Sequence, residues 1–171
     1  MMITIREAKP NEYSELGELM VEVYSQLEGF PGPDEIPEYY HHLKNVGELA
    51  MNPKTKLFVA INNNRILEGG LVYYGDLKYY GAGGEEVIKQ KAGAFRLLAV
   101  KPESRGKGVG KKLIEKCVFQ AKEEGFKNLI IHSTKYMMLA WKMYERMGFQ
   151  RFPEIDFEKN GVSVYGFMFV L

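Results

Sequence analysis

The chain has 171 residues, of which 46% are hydrophobic and 26% charged, and this is the composition of a globular protein rather than of a disordered chain, a coiled coil or a collagen. Its formal net charge is +1, so charge gives no sign of a nucleic-acid or membrane partner. A single cysteine, Cys117, and three histidines exclude an internal disulfide and a cysteine-based zinc site, and we expect no metal.

Hydrophobic periodicity predicts ten elements. In chain order these are a strand at 2–8, helices at 10–27 and 37–52, strands at 56–61, 66–74 and 94–100, a helix at 108–124, a strand at 127–133, a helix at 136–147 and a strand at 162–171. The Gly- and Tyr-rich residues 79–84 are expected to form a loop. Because no repeat or linker interrupts the pattern, we expect a single domain over residues 1–171. Strands alternate with helices in the second half, which indicates an α/β (α+β) sheet with a parallel portion.

The most informative segment is the glycine turn between the strand at 94–100 and the following helix. It contains Gly106, Gly108 and Gly110, with the cations Arg105, Lys107, Lys111 and Lys112 around them. Glycines let a backbone approach a ligand closely, and the N-terminus of a helix attracts phosphate. The turn is therefore predicted to bind a phosphate group.

Two common phosphate motifs do not fit this turn. A P-loop would require glycine at Arg105 and Ser or Thr at Lys112, and a dinucleotide fingerprint would require glycine at Lys111. A nucleotide-binding domain stays an alternative, but both failed patterns count against it.

The pattern that fits is Arg105-x-x-Gly108-x-Gly110, preceded by a strand that ends at Leu98-Ala99-Val100. It resembles the acyl-CoA-binding motif of the GNAT superfamily of N-acetyltransferases. A second segment, Ala140 to Tyr144 followed by Gly148-Phe149, resembles the C-terminal motif of the same family. The resemblance covers roughly residues 94–150. It implies a mostly antiparallel sheet of about six to seven strands with a central parallel pair, flanked by about four helices.

The resemblance also implies acetyl-CoA as the co-substrate. The backbone of Leu98, Ala99 and Val100 would pair with the pantetheine arm. The pyrophosphate would lie on the turn formed by Arg105, Gly106, Lys107, Gly108, Val109, Gly110 and Lys111. Met137 stands where the family commonly has an asparagine that contacts the cofactor, and we expect Thr134 to supply a hydroxyl nearby.

No Ser-His-Asp or Cys-His arrangement is visible, so direct attack of an amine on the thioester is favoured over a covalent acyl-enzyme. By resemblance, a backbone N–H at Leu98 or Ala99 would stabilise the oxyanion, and Tyr144 would protonate the departing thiolate. Glu28, Glu68 and Asp76 are candidates for the general base on position alone, and a chain of waters would serve as well.

The acceptor is expected to be a small, cationic primary amine. Residues 10–43 contain eight acids and no Lys or Arg, and aromatic side chains are frequent in the same half of the chain. The candidate acceptor-binding residues are Glu28, Phe30, Tyr39, Tyr73 and Tyr74.

Several alternatives stay open. The acceptor could be a protein N-terminus or a lysine, or the chain could be a non-catalytic, regulatory acyl-CoA-binding module. Whether it forms a homodimer is also open. No apolar run near the start fits a signal peptide and none reaches the roughly 20 residues of a membrane helix, so we expect a cytoplasmic protein without a membrane or nucleic-acid partner.

Overall fold

A computed structural model describes residues 2–171. The strands are β1 (Ile3–Glu7), β2 (Thr55–Asn62), β3 (Leu67–Tyr74), β4 (Gly93–Val100), β5 (Asn128–Ser133), β6 (Gln150–Arg151), β7 (Phe157–Lys159) and β8 (Val162–Val170). The α-helices are α1 (Tyr13–Ser25), α2 (Pro37–Lys44), α3 (Gly84–Ile88), α4 (Val109–Glu123) and α5 (Met138–Met147). No helix among residues 2–171 is long and apolar enough to cross a membrane.

The strands form a sheet in the order β1-β2-β3-β4-β5-β8-β6, with β7 paired to β8. All neighbours are antiparallel except β4 and β5, which are parallel. The expectation of a mostly antiparallel sheet with a central parallel pair is therefore confirmed. The sheet has eight strands because β6 and β7, which are too short to show periodicity in the sequence, add to the six expected.

Helices cover both faces of the sheet, and the period of two along each strand separates two apolar clusters. On one face α1 and α2 pack through Leu16, Met20 and Leu43. On the other face α4 and α5 pack through Leu113 and Tyr144. Each strand thus presents alternate residues to opposite sides, and this alternation decides which side chains can share a site.

One local expectation was wrong. The helix expected at 37–52 ends at Lys44, and Val46–Met51 form a separate 3₁₀ helix. The Asn45 side chain donates to the His41 carbonyl at 2.9 Å, which caps α2 and competes with its continuation. The loop expected at 79–84 is largely confirmed, since residues 80–83 form turns and bends between a 3₁₀ turn at Leu77–Tyr79 and the short helix α3.

Candidate active site

The sheet opens between β4 and β5. The two strands pair only at Gly93 with Leu129 and at Ala94 with Ile130, although β4 continues to Val100. Beyond Ala94, the edge of β4 that faces β5 has no ladder partner in that strand. A strand edge of this kind can pair with an extended ligand.

A bulge lies on the open part of β4. Leu97 has a φ of +61°, which is strained for a side chain with a Cβ. Leu97 and Leu98 together lie opposite Leu71 of β3, because the register shifts between Arg96 and Ala99. The Tyr24 hydroxyl of α1 donates to the Leu98 carbonyl at 3.1 Å and helps to hold the bulge.

Two cavities meet at this opening. One, here called the α4 cavity, has a volume of about 1140 Å³ and lies between β4, the N-terminus of α4, and α5. The other, here called the α2 cavity, has a volume of about 730 Å³ and lies between α2, β4 and the end of β5. Tyr24 and Met137 line both cavities, so the two cavities are adjacent.

The glycine turn forms one end of the α4 cavity. Gly106 and Gly108 have φ values of +75° and +80°, and a Cβ added at either would meet no atom within 4 Å. Within residues 2–171, no hydrogen bond uses the backbone N–H of Gly106, Lys107 or Gly108, and no side chain caps α4. Open space, free N–H groups and the helix dipole fit a pyrophosphate.

Most of the residues expected to bind the cofactor line the α4 cavity. These are Leu98, Val100, Arg105, Gly106, Gly108, Val109, Gly110, Lys111 and Tyr144. Ala99 and Lys107 do not line it: Ala99 is buried under the sheet, and the Lys107 side chain is exposed. Thr134 lines the α2 cavity instead, where its hydroxyl accepts the N–H of Tyr136 at 3.2 Å.

Glu68 supports the glycine turn rather than facing a ligand. It is buried on β3, its carboxylate accepts from the Asn62 amide and the Ser104 hydroxyl, and its carbonyl accepts the N–H of Lys101 at 2.9 Å. Asp76 caps a 3₁₀ turn by accepting the N–H of Lys78. Neither carboxylate lines either cavity, so neither is placed to act as a general base.

Tyr144 lies in α5 at the inner wall of the α4 cavity, with 3% of its surface exposed. Its ring packs against Phe95 and Phe149, at centroid distances of 5.9 and 5.7 Å. Burial raises the pKa of Tyr144 well above its usual value. The hydroxyl makes no hydrogen bond within residues 2–171 and stays protonated at all ordinary pH values, so it can donate to a ligand.

The α2 cavity has an aromatic wall. Phe30, Tyr39 and Tyr24 contact one another edge to face or tilted, at centroid distances of 6.0 to 6.4 Å. Tyr74 lies in the wall formed by the sheet. Burial raises the pKa of Tyr39 to about 12, against the opposing effect of the Arg96 guanidinium.

Two of the expected acceptor residues lie elsewhere. Tyr73 points to the opposite face of the sheet from Tyr74, because neighbouring strand residues alternate, and its hydroxyl donates to Glu124 of α4 at 2.8 Å. Glu28 is exposed in the loop after α1 and does not line the α2 cavity. The acids that do line this cavity are Glu35 and Glu38, both exposed.

Sequence reasoning missed Arg96, His132 and the contact between His132 and Tyr80. His132 Nε2 lies 2.8 Å from the Ile155 carbonyl, which can only accept, so Nδ1 accepts from the Tyr80 hydroxyl at 2.9 Å. Burial lowers the pKa of His132 to about 4. A signal existed for Arg96 alone, since it is the one charged residue in the apolar run of β4.

The comparisons with known proteins agree with this geometry. Residues 18–149 match the model of the Acetyltransferase (GNAT) family, and this is more than half of the chain. The chain therefore belongs to the GNAT family and is an acyltransferase. Among the described residues 2–171, no group of three or more His, Cys, Asp or Glu side chains is arranged to hold a metal ion.

Individual relatives are more distant. The chain is 41% identical over 49 residues to the uncharacterized N-acetyltransferase YjgM of Escherichia coli, a match that spans 29% of each chain. The PaiA N-acetyltransferase of Thermoplasma acidophilum, solved with coenzyme A, has a TM-score of 0.73 at 16% identity and covers 97% of this chain and 98% of its own. The spermidine/spermine N-acetyltransferase SpeG of Vibrio cholerae has a TM-score of 0.64 at 16% identity and covers 98% of this chain and 92% of its own. At these identities the structures support the fold alone.

Proposed function

We propose that residues 1–171 form one N-acetyltransferase domain that moves the acetyl group of acetyl-CoA to the primary amine of a small molecule by direct attack. The observation that carries the proposal is the meeting of two cavities at the opening between β4 and β5. The α4 cavity has the phosphate-binding turn and would hold the CoA. The α2 cavity is concave, largely aromatic and of a size suited to a small acceptor.

The chemistry requires that an amine nitrogen attack the thioester carbon and that the carbon–sulfur bond then break. The backbone N–H of Leu98, at the bulge of β4, would donate to the developing oxyanion, whereas Ala99, the other expected donor, pairs with Gly70 of β3 and does not line the α4 cavity. Tyr144 would give its proton to the departing sulfur, since its hydroxyl has no partner among residues 2–171 and lies in the α4 cavity. Water in the α2 cavity would take the proton that the amine loses, because Glu35 and Glu38 are at the rim.

Acyl transfer is measured as release of CoA thiol from acetyl-CoA in the presence of a panel of primary amines and, separately, of peptides with free N-termini or lysines. We expect thiol release with small amines above the background hydrolysis seen without them. Turnover of peptides alone would show that the acceptor is a protein rather than a small molecule. Background rates with every acceptor would refute the transferase reaction proposed for this site.

The role of Tyr144 is tested in the same assay with Tyr144→Phe, which keeps the ring packing and removes the proton donor. We expect kcat to fall by about 10²-fold, the lower end for general acid catalysis. The acetyl-CoA dissociation constant should change little. A Phe variant with the wild-type kcat would show that Tyr144 only packs.

A further inference from the structure

Arg96 lies at the centre of the α2 cavity. It is a half-buried residue of β4 that directly precedes the bulge. Its Nη1 donates to the Tyr80 carbonyl at 3.0 Å, and its guanidinium carbon lies 5.9 Å from the centroid of the Tyr80 ring. These contacts fix the guanidinium against the wall of the cavity and leave further N–H donors available, since a guanidinium has five.

Residues 2–171 supply no counter-ion for this charge. Within residues 2–171, none of the ion pairs includes Arg96. The two carboxylates that line the α2 cavity are exposed, and Glu35 is engaged with the N–H of Gly32 at 3.1 Å. Charges removed from water are normally paired, so an unpaired arginine in a ligand cavity indicates an anionic ligand.

A second polar group nearby also has no partner. Ser133, at the end of β5, lines the same cavity and is 2% exposed, and its hydroxyl makes no hydrogen bond within residues 2–171. Buried hydroxyls are nearly always hydrogen-bonded, so this one is available to a ligand or a water.

We propose that Arg96 binds a carboxylate of the acceptor, so that the acceptor is an amine that also bears a carboxylate, in the manner of an amino acid. This inference rests on the proposed function and narrows its substrate class. The planar guanidinium fork matches a carboxylate in two parallel hydrogen bonds. A phosphate dianion would require a further cation. Besides Arg96, the one lysine or arginine among residues 2–171 that lines the cavity is Lys159, which is exposed, and burial lowers the pKa of the two histidines that line it, His42 and His132.

The inference changes the expected acceptor from a cation to a zwitterion. A diamine without a carboxylate would bring a second positive charge close to Arg96, which is unfavourable in a partly buried site. The apolar part of an amino acid would pack on the aromatic wall formed by Phe30, Tyr39 and Tyr24. Its amine could then face the opening to the α4 cavity, where Tyr24 and Met137 line both sides.

The test compares each common L-amino acid with its own primary amide in the thiol-release assay. The amide has nearly the same shape but lacks the negative charge. Its ammonium group is more acidic than that of the acid, so a larger fraction of its amine is neutral and able to attack at a given pH. This difference alone would favour the amide. We expect wild-type protein to prefer the acid by at least tenfold in kcat/KM for the pairs that it turns over. Arg96→Gln should remove this preference, because kcat/KM should fall far more for the acid than for the amide. Arg65→Gln, which removes one exposed cation from the turn between β2 and β3, is the matched control and should keep the preference.

Each outcome decides the inference. Equal or better turnover of the amides, or of diamines, by wild-type protein would overturn it while leaving the proposed acetyltransferase function intact. A preference for the acid that survives in Arg96→Gln would show that another group binds the carboxylate. Background rates with every amine would overturn both proposals. The wild-type comparison requires no variant, so the inference stays testable even if Arg96→Gln fails to fold.

Discussion

Gly108 is the residue at which the proposed CoA site can be tested with the least ambiguity. It lines the α4 cavity, its φ is +80°, and an added Cβ would project into open space there. We expect Gly108→Val to weaken acetyl-CoA binding by at least about tenfold, or about 1.4 kcal/mol, because the side chain would occupy the place of the pyrophosphate. Isothermal titration with acetyl-CoA measures this change.

A side chain at a positive φ is strained by about 1–2 kcal/mol, so Gly108→Val also loses some stability. Gly125 supplies the control, since it lies just after α4, has a φ of +81°, and likewise has no atom within 4 Å of an added Cβ. Gly125→Val should lose a similar free energy of unfolding and keep its affinity for acetyl-CoA. Equal affinity in the two variants would mean that the turn does not hold the pyrophosphate.

Individual residues also show why parts of the site could not be predicted from the sequence. Tyr73 and Tyr74 are identical side chains on the same strand, and they point to opposite faces of the sheet. Tyr74 therefore lines the α2 cavity, whereas Tyr73 contacts Glu124. The pairing of His132 with Tyr80 joins residues 52 positions apart, and no local spacing records it. The open backbone of the glycine turn was predictable because all of its residues belong to one continuous segment.

At the scale of elements, the long strands and helices of the fold follow from periodicity, whereas β6, β7 and α3 do not. These three elements have two, three and five residues, which are too few for an apolar pattern with a period of two or 3.6 residues to repeat. They depend on tertiary pairing instead, since β6 and β7 pair with different parts of β8. The separation of β4 from β5 beyond Ala94 also depends on tertiary structure, because the sequence of each strand shows the pattern of a regular strand.

His132 links β5 to the segment before β7 and makes the stability of this part of the sheet depend on pH. Its Nε2 donates to the Ile155 carbonyl, its ring contacts Phe157 at a centroid distance of 5.2 Å, and burial lowers its pKa to about 4. In the unfolded chain its pKa is about 6.5, so the unfolded state binds a proton first as the pH falls. The stabilising contribution of neutral His132 is complete above pH 6.5 and is lost between about pH 6.5 and 4.

Urea unfolding across this pH range measures the effect. The loss attributable to His132 should reach about 3 kcal/mol at pH 4, and His132→Gln should be correspondingly less sensitive to pH. Burial also lowers the pKa of His42, but that group is present in both proteins and cancels in the comparison. Parallel curves for the two proteins would show that His132 titrates normally in the folded state.

At the scale of the whole molecule, ligand binding and folding are linked, because the α4 cavity is built from distant parts of the chain. Val23 of α1, Gly108 at the start of α4, and Phe169 of β8 all line it. The cavity exists only in the folded state, so a ligand that binds in it must stabilise the whole fold. At a concentration of 100 times its dissociation constant, it adds about 2.7 kcal/mol to the free energy of unfolding.

Thermal unfolding with acetyl-CoA, CoA, ATP and NAD, each at the same excess, turns this linkage into a test of ligand class. For a chain of this length, 2.7 kcal/mol corresponds to a rise in Tm of about 5–10 °C. We expect that rise with acetyl-CoA and with CoA, because the groups proposed to contact the glycine turn and the open edge of β4 are shared by the two. ATP and NAD, which have phosphates but no pantetheine arm, should give a much smaller rise. A rise with ATP or NAD alone would assign the turn to a nucleotide, whereas no rise with any of the four would leave the cavity without its proposed ligand.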